Sequence, residues 1–189
     1  MRIGLLGGAF NPIHNGHLNI AQGAFTQLIL DKVVFIPTFI SVHKPTDKLI
    51  DPQHRLNMIR LAIEGKPEFE ISRFEIDETG PSYAIKTVEY FKNSLSEDAD
   101  IFFLIGSDSL CELSAWKSID RLATLCQFVV AHRPGYELKK DRFNVSELNI
   151  ESLDIASSEI RVKIENGDSV NGLLPQGVED YIRNKNLYK

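Results

Sequence analysis

Two histidines stand three residues apart behind a pair of glycines near the beginning of the chain. The segment spans residues 7–17 and has the sequence GGAFNPIHNGH. Glycines directly after a strand let the backbone turn tightly and approach a bulky anion, and the helix that follows offers unpaired N–H groups and a positive dipole end to a phosphate. At the start of that helix, His14 and His17 can face the same ligand. The segment therefore predicts a phosphate-binding turn, which differs from the GxGxxG dinucleotide motif and from the lysine-containing P-loop.

Hydroxyl and guanidinium groups come together in a second segment, IASSEIR at residues 155–161. Ser157, Ser158 and Arg161 would lie at the start of a helix, on one side with its free N–H groups. Arginine can bind phosphate oxygens in bidentate fashion. The residues alone also fit an ordinary serine cap with a solvated arginine, so both interpretations stay open.

These two segments must be positioned by an alternation of strands and helices. Apolar runs predict strands at residues 3–6, 33–37, 69–76, 101–105 and 126–131, and a later short strand at 150–155. Amphipathic stretches predict helices at residues 17–30, 52–64, 84–93, 119–125, 157–165 and 177–184. Strands that are apolar at consecutive positions are typical of a parallel sheet covered on both faces. The order βαβαβαβαβ indicates an α/β fold, a Rossmann-like doubly wound parallel sheet that binds ligands beyond the carboxyl ends of its strands.

The size and composition of the chain limit the alternatives. Its 189 residues predict a single domain with a small C-terminal helical extension from about residue 150 onward. A net charge of −5 argues against a nucleic-acid partner, and no stretch is long and apolar enough to span a bilayer. The two cysteines, in no metal-binding spacing, argue against a disulfide framework and a structural metal site and favour the cytoplasm. The oligomeric state is left open, with a homo-oligomer among the alternatives.

The first segment resembles the GGxFxPxHxGH signature of the nucleotidyltransferase superfamily, in which the two histidines bind ATP phosphates and stabilise the transition state. Asn11 stands where many members have Asp, and both residues can cap the turn. The second segment resembles the ISSTxIR motif of the nicotinate-nucleotide adenylyltransferases, which contacts the β- and γ-phosphates, with Ala156 in place of the first serine. The chain is similar to that family from end to end.

The resemblance implies the residues of the active site. The catalytic residues would be His14, His17 and Arg161. The ATP-binding residues would be Gly7, Gly8, Ala9, Phe10, Gly16, His17, Lys44, Gly106, Asp108, Ser157, Ser158 and Arg161. The acceptor-binding residues would be Ser82, Tyr83, Ala84, Asp108, Trp116, Lys117 and Arg133, with the tryptophan stacked on a pyridine ring.

The resemblance further implies transfer of the adenylyl group of ATP to nicotinate mononucleotide, giving nicotinate adenine dinucleotide and pyrophosphate. The acceptor phosphate is itself an anion that attacks the α-phosphorus in line, so no side-chain nucleophile is needed. Mg²⁺ would bind the substrate phosphates, without a protein metal site. Ala84 and Lys86 depart from the Thr and Asp of the family's GxSYTxDT segment. Three alternatives therefore stay open: a nicotinamide-mononucleotide enzyme, an adenylyltransferase for another phosphate acceptor, and an inactive nucleotide-binding module.

The histidine pair provides a direct test of the catalytic assignment. We expect His17→Ala to lower kcat by roughly 10²–10³-fold, because the variant lacks a donor to the charge that develops in the transition state. Its thermal unfolding temperature should change little. A large loss of stability, with near-normal turnover per folded molecule, would contradict the assignment.

Overall fold

The structure, a computed structural model, describes residues 1–42, 49–131, 143, 145–151 and 153–189, without the side chain of Asp108. Its strands are β1 (Arg2–Gly8), β2 (Lys32–Pro37), β3 (Ile40–Ser41), β4 (Phe69–Ile71), β5 (Pro81–Ser82), β6 (Asp100–Gly106), β7 (Gln127–Ala131) and β8 (Val145–Leu148). Its helices are α1 (Asn15–Gln27), α2 (Pro52–Ala62), α3 (Phe74–Asp77), α4 (Ala84–Ser94), α5 (Ser107–Cys111), α6 (Ile119–Leu125), α7 (Ser157–Asn166) and α8 (Gln176–Asn184), with a short 3₁₀ turn at Leu113–Ala115. Within the described residues, no helix has the length and apolar content needed to cross a bilayer.

Six of the described strands form one parallel sheet in the order β4-β2-β1-β6-β7-β8. The chain moves outward from β1 to β2 and β4, returns to the other side of β1 at β6, and moves outward again. The order therefore reverses between β1 and β6, which confirms the predicted doubly wound arrangement. Gly8 at the end of β1 pairs with Pro37 at the end of β2, and Gly106 pairs with Ala131. The carboxyl ends of these four strands thus lie along one edge.

Apolar side chains cover both faces of the sheet. Along β1, Leu5 packs into a core with residues of α4 and α6, whereas the neighbouring Leu6 packs into a core with residues of α1, α2, α7 and α8. Successive side chains of a strand point to opposite faces, so a strand buried on both sides must be apolar at consecutive positions. The same second core includes Ile160 and Val178, so that α7 and α8 pack against the sheet.

The predicted strand at residues 69–76 is wrong in its second half. β4 ends at Ile71, and Phe74–Asp77 forms the helix α3. Ser72 donates its backbone N–H to the carbonyl oxygen of Phe35 at 3.0 Å, and its hydroxyl accepts the N–H of Phe74 at 3.2 Å. A serine hydroxyl offers the backbone an alternative to the strand ladder, so the apolar run turns here and continues as a helix.

The strand predicted at residues 150–155 is also wrong. The last strand of the sheet is β8, and the described residues between 149 and 156 belong to no helix or strand. Packing explains their apolar character instead, because Ile155 is buried and Ile150 packs against the same core as α1. A short apolar run does not distinguish a strand from another buried segment.

The segment after β8 is fastened along α1. The side-chain amide of Asn19 donates to the carbonyl oxygen of Glu151 at 2.7 Å. An ideal Cβ at Gly23 would lie 2.3 Å from Cγ2 of Ile150, so this close approach requires glycine. The contact holds Ile150 beside the carboxyl edge of the sheet, where it lines a cleft together with Ala131.

Candidate active site

The loop between β1 and α1, residues 9–14, leaves the sheet where the strand order reverses. β1 pairs with β2 on one side and with β6 on the other, so this loop emerges in the crevice where doubly wound sheets bind ligands. Gly7 and Gly8 form the end of β1, and His14 occupies the cap position of α1. We call residues 9–14 the β1–α1 loop.

The two histidines of the first motif stack at the start of α1. Their ring centroids lie 3.7 Å apart with an interplanar angle of 32°, and the backbone N–H of His14 donates to Nδ1 of His17 at 3.2 Å. Because Nδ1 of His17 accepts this hydrogen bond, the neutral ring carries its proton on Nε2 and can donate from there. An ideal Cβ at Gly16 would lie 3.0 Å from Nδ1 of His14, so glycine at this position makes room for the buried His14 ring.

Phe10 contributes its ring to the core. Its backbone is left-handed, with a φ of 47°, and its side chain is buried. The ring packs edge-on against His17, with centroids 4.9 Å apart, and also contacts Phe35 at 5.8 Å. Because the ring is buried, only the backbone of Phe10 could make the predicted contact with ATP. The ring instead packs against His17.

The second motif meets the β1–α1 loop directly. Ser157, the first residue of α7, donates its hydroxyl to the carbonyl oxygen of Pro12 at 2.9 Å. One turn later, Nη1 of Arg161 donates to the carbonyl oxygen of Asn11 at 2.8 Å. Two motifs separated by most of the chain are thus hydrogen-bonded to one another, and Ser158 lies exposed beside them.

Arg161 keeps further donors after this contact. A guanidinium group has five N–H donors, and Nε of Arg161 is buried with no acceptor among the described residues. The first N–H groups of α7 also have no partner within their helix. Together these N–H groups give the start of α7 a set of donors that suits phosphate oxygens.

Arg55 of α2 contacts the same loop, although no sequence motif indicated it. It is fully buried, and its Nη1 donates to the carbonyl oxygens of Ala9 at 2.9 Å and Thr38 at 2.7 Å. These bonds tie the β1–α1 loop to the segment after β2. Burial lowers the pKa of Arg55, and the nearby Tyr188 and Asp51 act in the opposite direction. The sequence offered one signal for this role, which is that Arg55 falls on the apolar face of α2. An arginine on that face must be buried, and a buried arginine must be hydrogen-bonded.

A narrow cleft runs beside the histidines. Its volume is about 20 Å³, which is roughly the room of one water molecule. The cleft is lined by His14, Gly16, His17, Asn19 and Ile20, with Ala131, Ile150 and Leu153 completing the walls. A cleft of this volume is too small to hold a nucleotide ring. The sequence did not predict Ile150 and Leu153 as lining residues, because both lie in the wrongly predicted strand.

The predicted acceptor segment, Ser82 to Ala84, lies at the start of α4. Tyr83 occupies the cap position in an extended conformation, and Ala84 is the first helical residue. The hydroxyl of Ser82 accepts the backbone N–H of Phe39 at 2.9 Å, and β3 pairs with β5 here. The first N–H groups of α4 have no partner inside the helix, and its positive dipole end favours a negatively charged group.

Trp116 and Lys117 form the second predicted acceptor segment. Nζ of Lys117 lies 4.3 Å from the ring centroid of Tyr83, a typical cation–π distance. The half-buried ring of Trp116 packs edge-on against Phe103 and Phe128, with centroids 5.8 and 6.3 Å away. The structure therefore brings the two predicted acceptor segments together and packs Trp116 against the core.

A second cavity, of about 140 Å³, lies between α3 and α4 and is lined by Ser82, Tyr83, Lys86, Thr87 and Glu75 among others. The carboxyl group of the buried Glu75 accepts a hydrogen bond from the Thr87 hydroxyl at 2.5 Å and another from Ser82. Burial raises the pKa of Glu75 above its ordinary value, and these two hydrogen bonds lower it by less. No role was predicted for Glu75 from the sequence. It lies in the second half of the strand predicted at residues 69–76, and that half is the helix α3.

The remaining predicted site positions lie partly outside the described residues. Lys44 and Arg133 lie outside them, as does the side chain of Asp108. The backbone of Asp108 belongs to α5, which begins directly after Gly106 ends β6. Ser107, between them, donates its hydroxyl to the carbonyl oxygen of Ala131 at 3.2 Å. This bond ties the ends of β6 and β7 together at the carboxyl edge.

Related proteins match this chain along its whole length. The cytidylyltransferase-like family model matches residues 5–163. A protein of Thermoanaerobacter sp. (strain X514) is 39% identical over 200 residues, which cover 100% of this chain and 95% of the relative. A protein of Moorella thermoacetica is 36% identical over 199 residues, which cover 100% of this chain and 92% of the relative. Both relatives carry the name "Probable nicotinate-nucleotide adenylyltransferase".

Solved structures share the fold at lower sequence identity. The Plasmodium falciparum nicotinic acid mononucleotide adenylyltransferase complexed with NaAD has a TM-score of 0.83 at 20% identity, covering 99% of this chain and 97% of that one. A structure from Vibrio parahaemolyticus has a TM-score of 0.74 at 17% identity, covering 99% of this chain and 94% of that one. At these identities the likeness establishes the doubly wound fold.

Arg55 provides a stability test for the attachment of the β1–α1 loop. Arg55→Met should lower the free energy of unfolding by about 2–4 kcal/mol, because the carbonyl groups of Ala9 and Thr38 lose a buried donor. Arg60→Met, on the exposed side of the same helix, is the matched control and should change it by less than about 0.5 kcal/mol. Urea denaturation measures both. A loss below about 1 kcal/mol for Arg55→Met would be inconsistent with this role.

The raised pKa of Glu75 predicts a specific pH dependence of stability. Since the folded carboxyl group holds its proton more tightly than the unfolded one, its contribution to stability is complete below the ordinary pKa of 4.5 and is lost as the pH rises through the raised pKa. Glu75→Gln cannot ionise. Relative to the wild type, its free energy of unfolding should therefore increase as the pH rises above 4.5.

Urea denaturation at a series of pH values measures this difference. Glu78→Gln is the matched control, because Glu78 is exposed in the wall of the same cavity. Its stability relative to the wild type should not change in the same pH range. A constant difference between Glu75→Gln and the wild type across that range would show that the carboxyl group ionises normally in the fold.

Proposed function

Because the chain belongs to the cytidylyltransferase-like family, we propose that it is a nicotinate-nucleotide adenylyltransferase. It transfers the adenylyl group of ATP to nicotinate mononucleotide, and the products are nicotinate adenine dinucleotide and pyrophosphate. This is a step in the synthesis of NAD. The relatives that carry the corresponding name are aligned over all of this chain and more than nine-tenths of their own length.

The junction of the two sequence motifs carries this proposal. Ser157 and Arg161 reach the carbonyl groups of Pro12 and Asn11. A hydroxyl, a guanidinium group and the stacked histidines therefore surround one loop at the carboxyl edge of the sheet. Donors gathered at two helix N-termini suit a triphosphate.

The reaction is a direct displacement at phosphorus. An oxygen of the acceptor phosphate attacks the α-phosphorus of ATP and forms a new P–O bond, while the bond from the α-phosphorus to the oxygen that bridges to the β-phosphate breaks. Pyrophosphate leaves with that electron pair. His17, donating from Nε2, stabilises charge that grows on the α-phosphate and the bridging oxygen, and Arg161 holds the departing pyrophosphate. No protein group becomes bonded to the substrate.

The side chains around the loop fit a metal ion that arrives with the nucleotide. Nε2 of His17, the first N–H groups of α7 and the guanidinium group of Arg161 supply donors and positive charge, which suit phosphate oxygens. The part of the chain that the structure describes holds no group of three His, Cys, Asp or Glu side chains suited to a metal ion. Mg²⁺, which typically binds substrate phosphates and water, would neutralise part of the phosphate charge, while the protein side chains hold and orient the phosphates.

The start of α4 favours an acidic acceptor. Its first N–H groups and its dipole bind a carboxylate such as that of nicotinate, and backbone donors do not depend on the side chain at Ala84. Lys86 lines the adjoining cavity and adds a positive charge. Glu75 lines the same cavity, and burial raises its pKa.

The charge and the cysteines of the chain agree with an enzyme of small nucleotides in the cytoplasm. The net charge is −5, which argues against a nucleic-acid partner. Cys111 and Cys126 are free thiols, as expected in a reducing compartment. Burial raises the pKa of Cys126 to about 12, which keeps this thiol protonated and unreactive.

A product assay tests the reaction and its acceptor. Purified protein is incubated with ATP, Mg²⁺ and nicotinate mononucleotide, nicotinamide mononucleotide or phosphopantetheine, and pyrophosphate and the adenylylated product are quantified. We expect kcat/KM for nicotinate mononucleotide to exceed that for nicotinamide mononucleotide by at least about tenfold, because a charge-assisted hydrogen bond is worth about 1.5–3 kcal/mol. Equal use of the two mononucleotides, or a preference for phosphopantetheine, would overturn the acceptor. Binding of ATP without any product would favour a nucleotide-binding module.

Lys86→Gln separates the lysine from the backbone donors. Because Lys86 is exposed, the variant should lower the preference for the acid by only about two- to fivefold. Lys66→Gln is the matched control, since Lys66 precedes β4 and lies at the amino ends of the strands, opposite the carboxyl ends where the site is proposed.

Trp116→Ala should raise KM for both mononucleotides equally and leave ATP binding unchanged, because stacking does not distinguish the acid from the amide.

A further inference from the structure

Tyr188, in the segment after α8, contacts the β1–α1 loop. Its hydroxyl donates to Oδ1 of Asn11 at 2.8 Å. The backbone carbonyl of the same asparagine accepts Nη1 of Arg161, also at 2.8 Å. Asn11 is buried, and residues from the C-terminal part of the chain hold both its side chain and its backbone.

The backbone around Tyr188 adopts a conformation that residues other than glycine rarely take. The φ angle is 64° at Tyr188 and 51° at Asn186, both in the left-handed region. Such strain persists where the surrounding structure fixes it, and it is concentrated at functional positions. Here the N–H of Leu187 donates to the carbonyl oxygen of Ile182 at 3.1 Å, and the side chains of Leu187 and Tyr188 pack against the core beneath α8. The packed turn delivers the Tyr188 side chain to the loop.

The electrostatic surroundings make the phenol a donor. Burial raises the pKa of Tyr188, and the guanidinium groups of Arg161 and Arg55 lower it by less. The hydroxyl therefore keeps its proton at neutral pH and donates to Asn11. The same two arginines donate to carbonyl groups of the β1–α1 loop, so three side chains from distant parts of the chain act on one short loop.

We propose that Tyr188 is a positioning residue of the ATP site, whose hydroxyl holds Asn11 and thereby sets the place of the Arg161 guanidinium against the triphosphate. The inference rests on the proposed function, in which Arg161 binds the phosphate tail. Without the hydroxyl, Asn11 loses an anchor, and the carbonyl group that receives Arg161 can shift. Bidentate phosphate binding depends on the orientation of the guanidinium plane, so the affinity for ATP falls.

Tyr181 provides a matched control on the same C-terminal segment. Its hydroxyl forms hydrogen bonds with Nδ1 of His54 at 2.9 Å and with the side-chain amide of Asn57 at 3.0 Å. These partners belong to α2, so Tyr181 fastens α8 to α2 without touching the β1–α1 loop. Loss of either tyrosine hydroxyl removes buried hydrogen bonding, but only Tyr188 is connected to Arg161.

The experiment compares Tyr188→Phe with Tyr181→Phe. The dissociation constant of ATP is measured by calorimetry well below the melting temperature, and kcat and KM are measured with ATP and nicotinate mononucleotide. We expect Tyr188→Phe to raise the Kd and KM for ATP by about three- to tenfold, the effect of one lost hydrogen bond. KM for the mononucleotide should change by less than about twofold. Tyr181→Phe should leave both ATP constants within about twofold of the wild type, whatever its effect on melting.

Asn11→Ala removes the other partner of the same hydrogen bond and completes a double-mutant cycle. It should raise the Kd of ATP, and adding Tyr188→Phe to it should raise that Kd by less than about twofold further. An unchanged ATP affinity in Tyr188→Phe, an equal loss in Tyr181→Phe, or independent effects of Asn11→Ala and Tyr188→Phe would each overturn the inference. If the wild type binds ATP but forms no dinucleotide, the proposed function fails, and the ATP dissociation constants alone still decide the role of Tyr188.

Discussion

The buried carbonyl groups of the β1–α1 loop must receive hydrogen bonds, since an unpaired buried carbonyl destabilises the fold. The donors come from elsewhere in the chain: Arg55 of α2 binds Ala9, and Arg161 of α7 binds Asn11. Tyr188 adds a bond to the Asn11 side chain. The loop that carries His14 therefore takes its shape only when α2, α7 and the segment after α8 have packed against the sheet. Folding of the core and formation of the site are the same event.

The same donors determine the electrostatic character of the site. Among the residues that the structure describes, Arg55 and Arg161 bind carbonyl oxygens and form no ion pair with a carboxylate. Burying a charge in this way lowers stability, which burial of the large apolar cores offsets. Positive charge that is fixed in advance is what a triphosphate and a pyrophosphate leaving group require.

The two halves of the proposed site lie on opposite faces of the sheet. The helices α1 and α7 pack on one face with Leu6, and α4 packs on the other with Leu5. Elements on opposite faces can meet only beyond the ends of the strands, and the reversal of strand order between β1 and β6 opens the crevice there. Nucleotide and acceptor can thus approach one another from two separately packed cores, each of which orients its own set of side chains.

Local sequence patterns determined the features that depend on neighbouring residues: the glycines after β1, the spacing of His14 and His17, the helix that begins at Ser157, and the consecutive apolar residues of a parallel sheet. They did not distinguish a strand from a packed segment at residues 150–155, where burial alone makes the residues apolar. Only the tertiary structure decided which distant side chains complete the site. The bonds of Arg55 to Ala9 and of Tyr188 to Asn11 join positions 46 and 177 residues apart. Contacts of this kind have no periodicity in the sequence, because they arise when whole helices pack and a buried carbonyl meets the nearest donor.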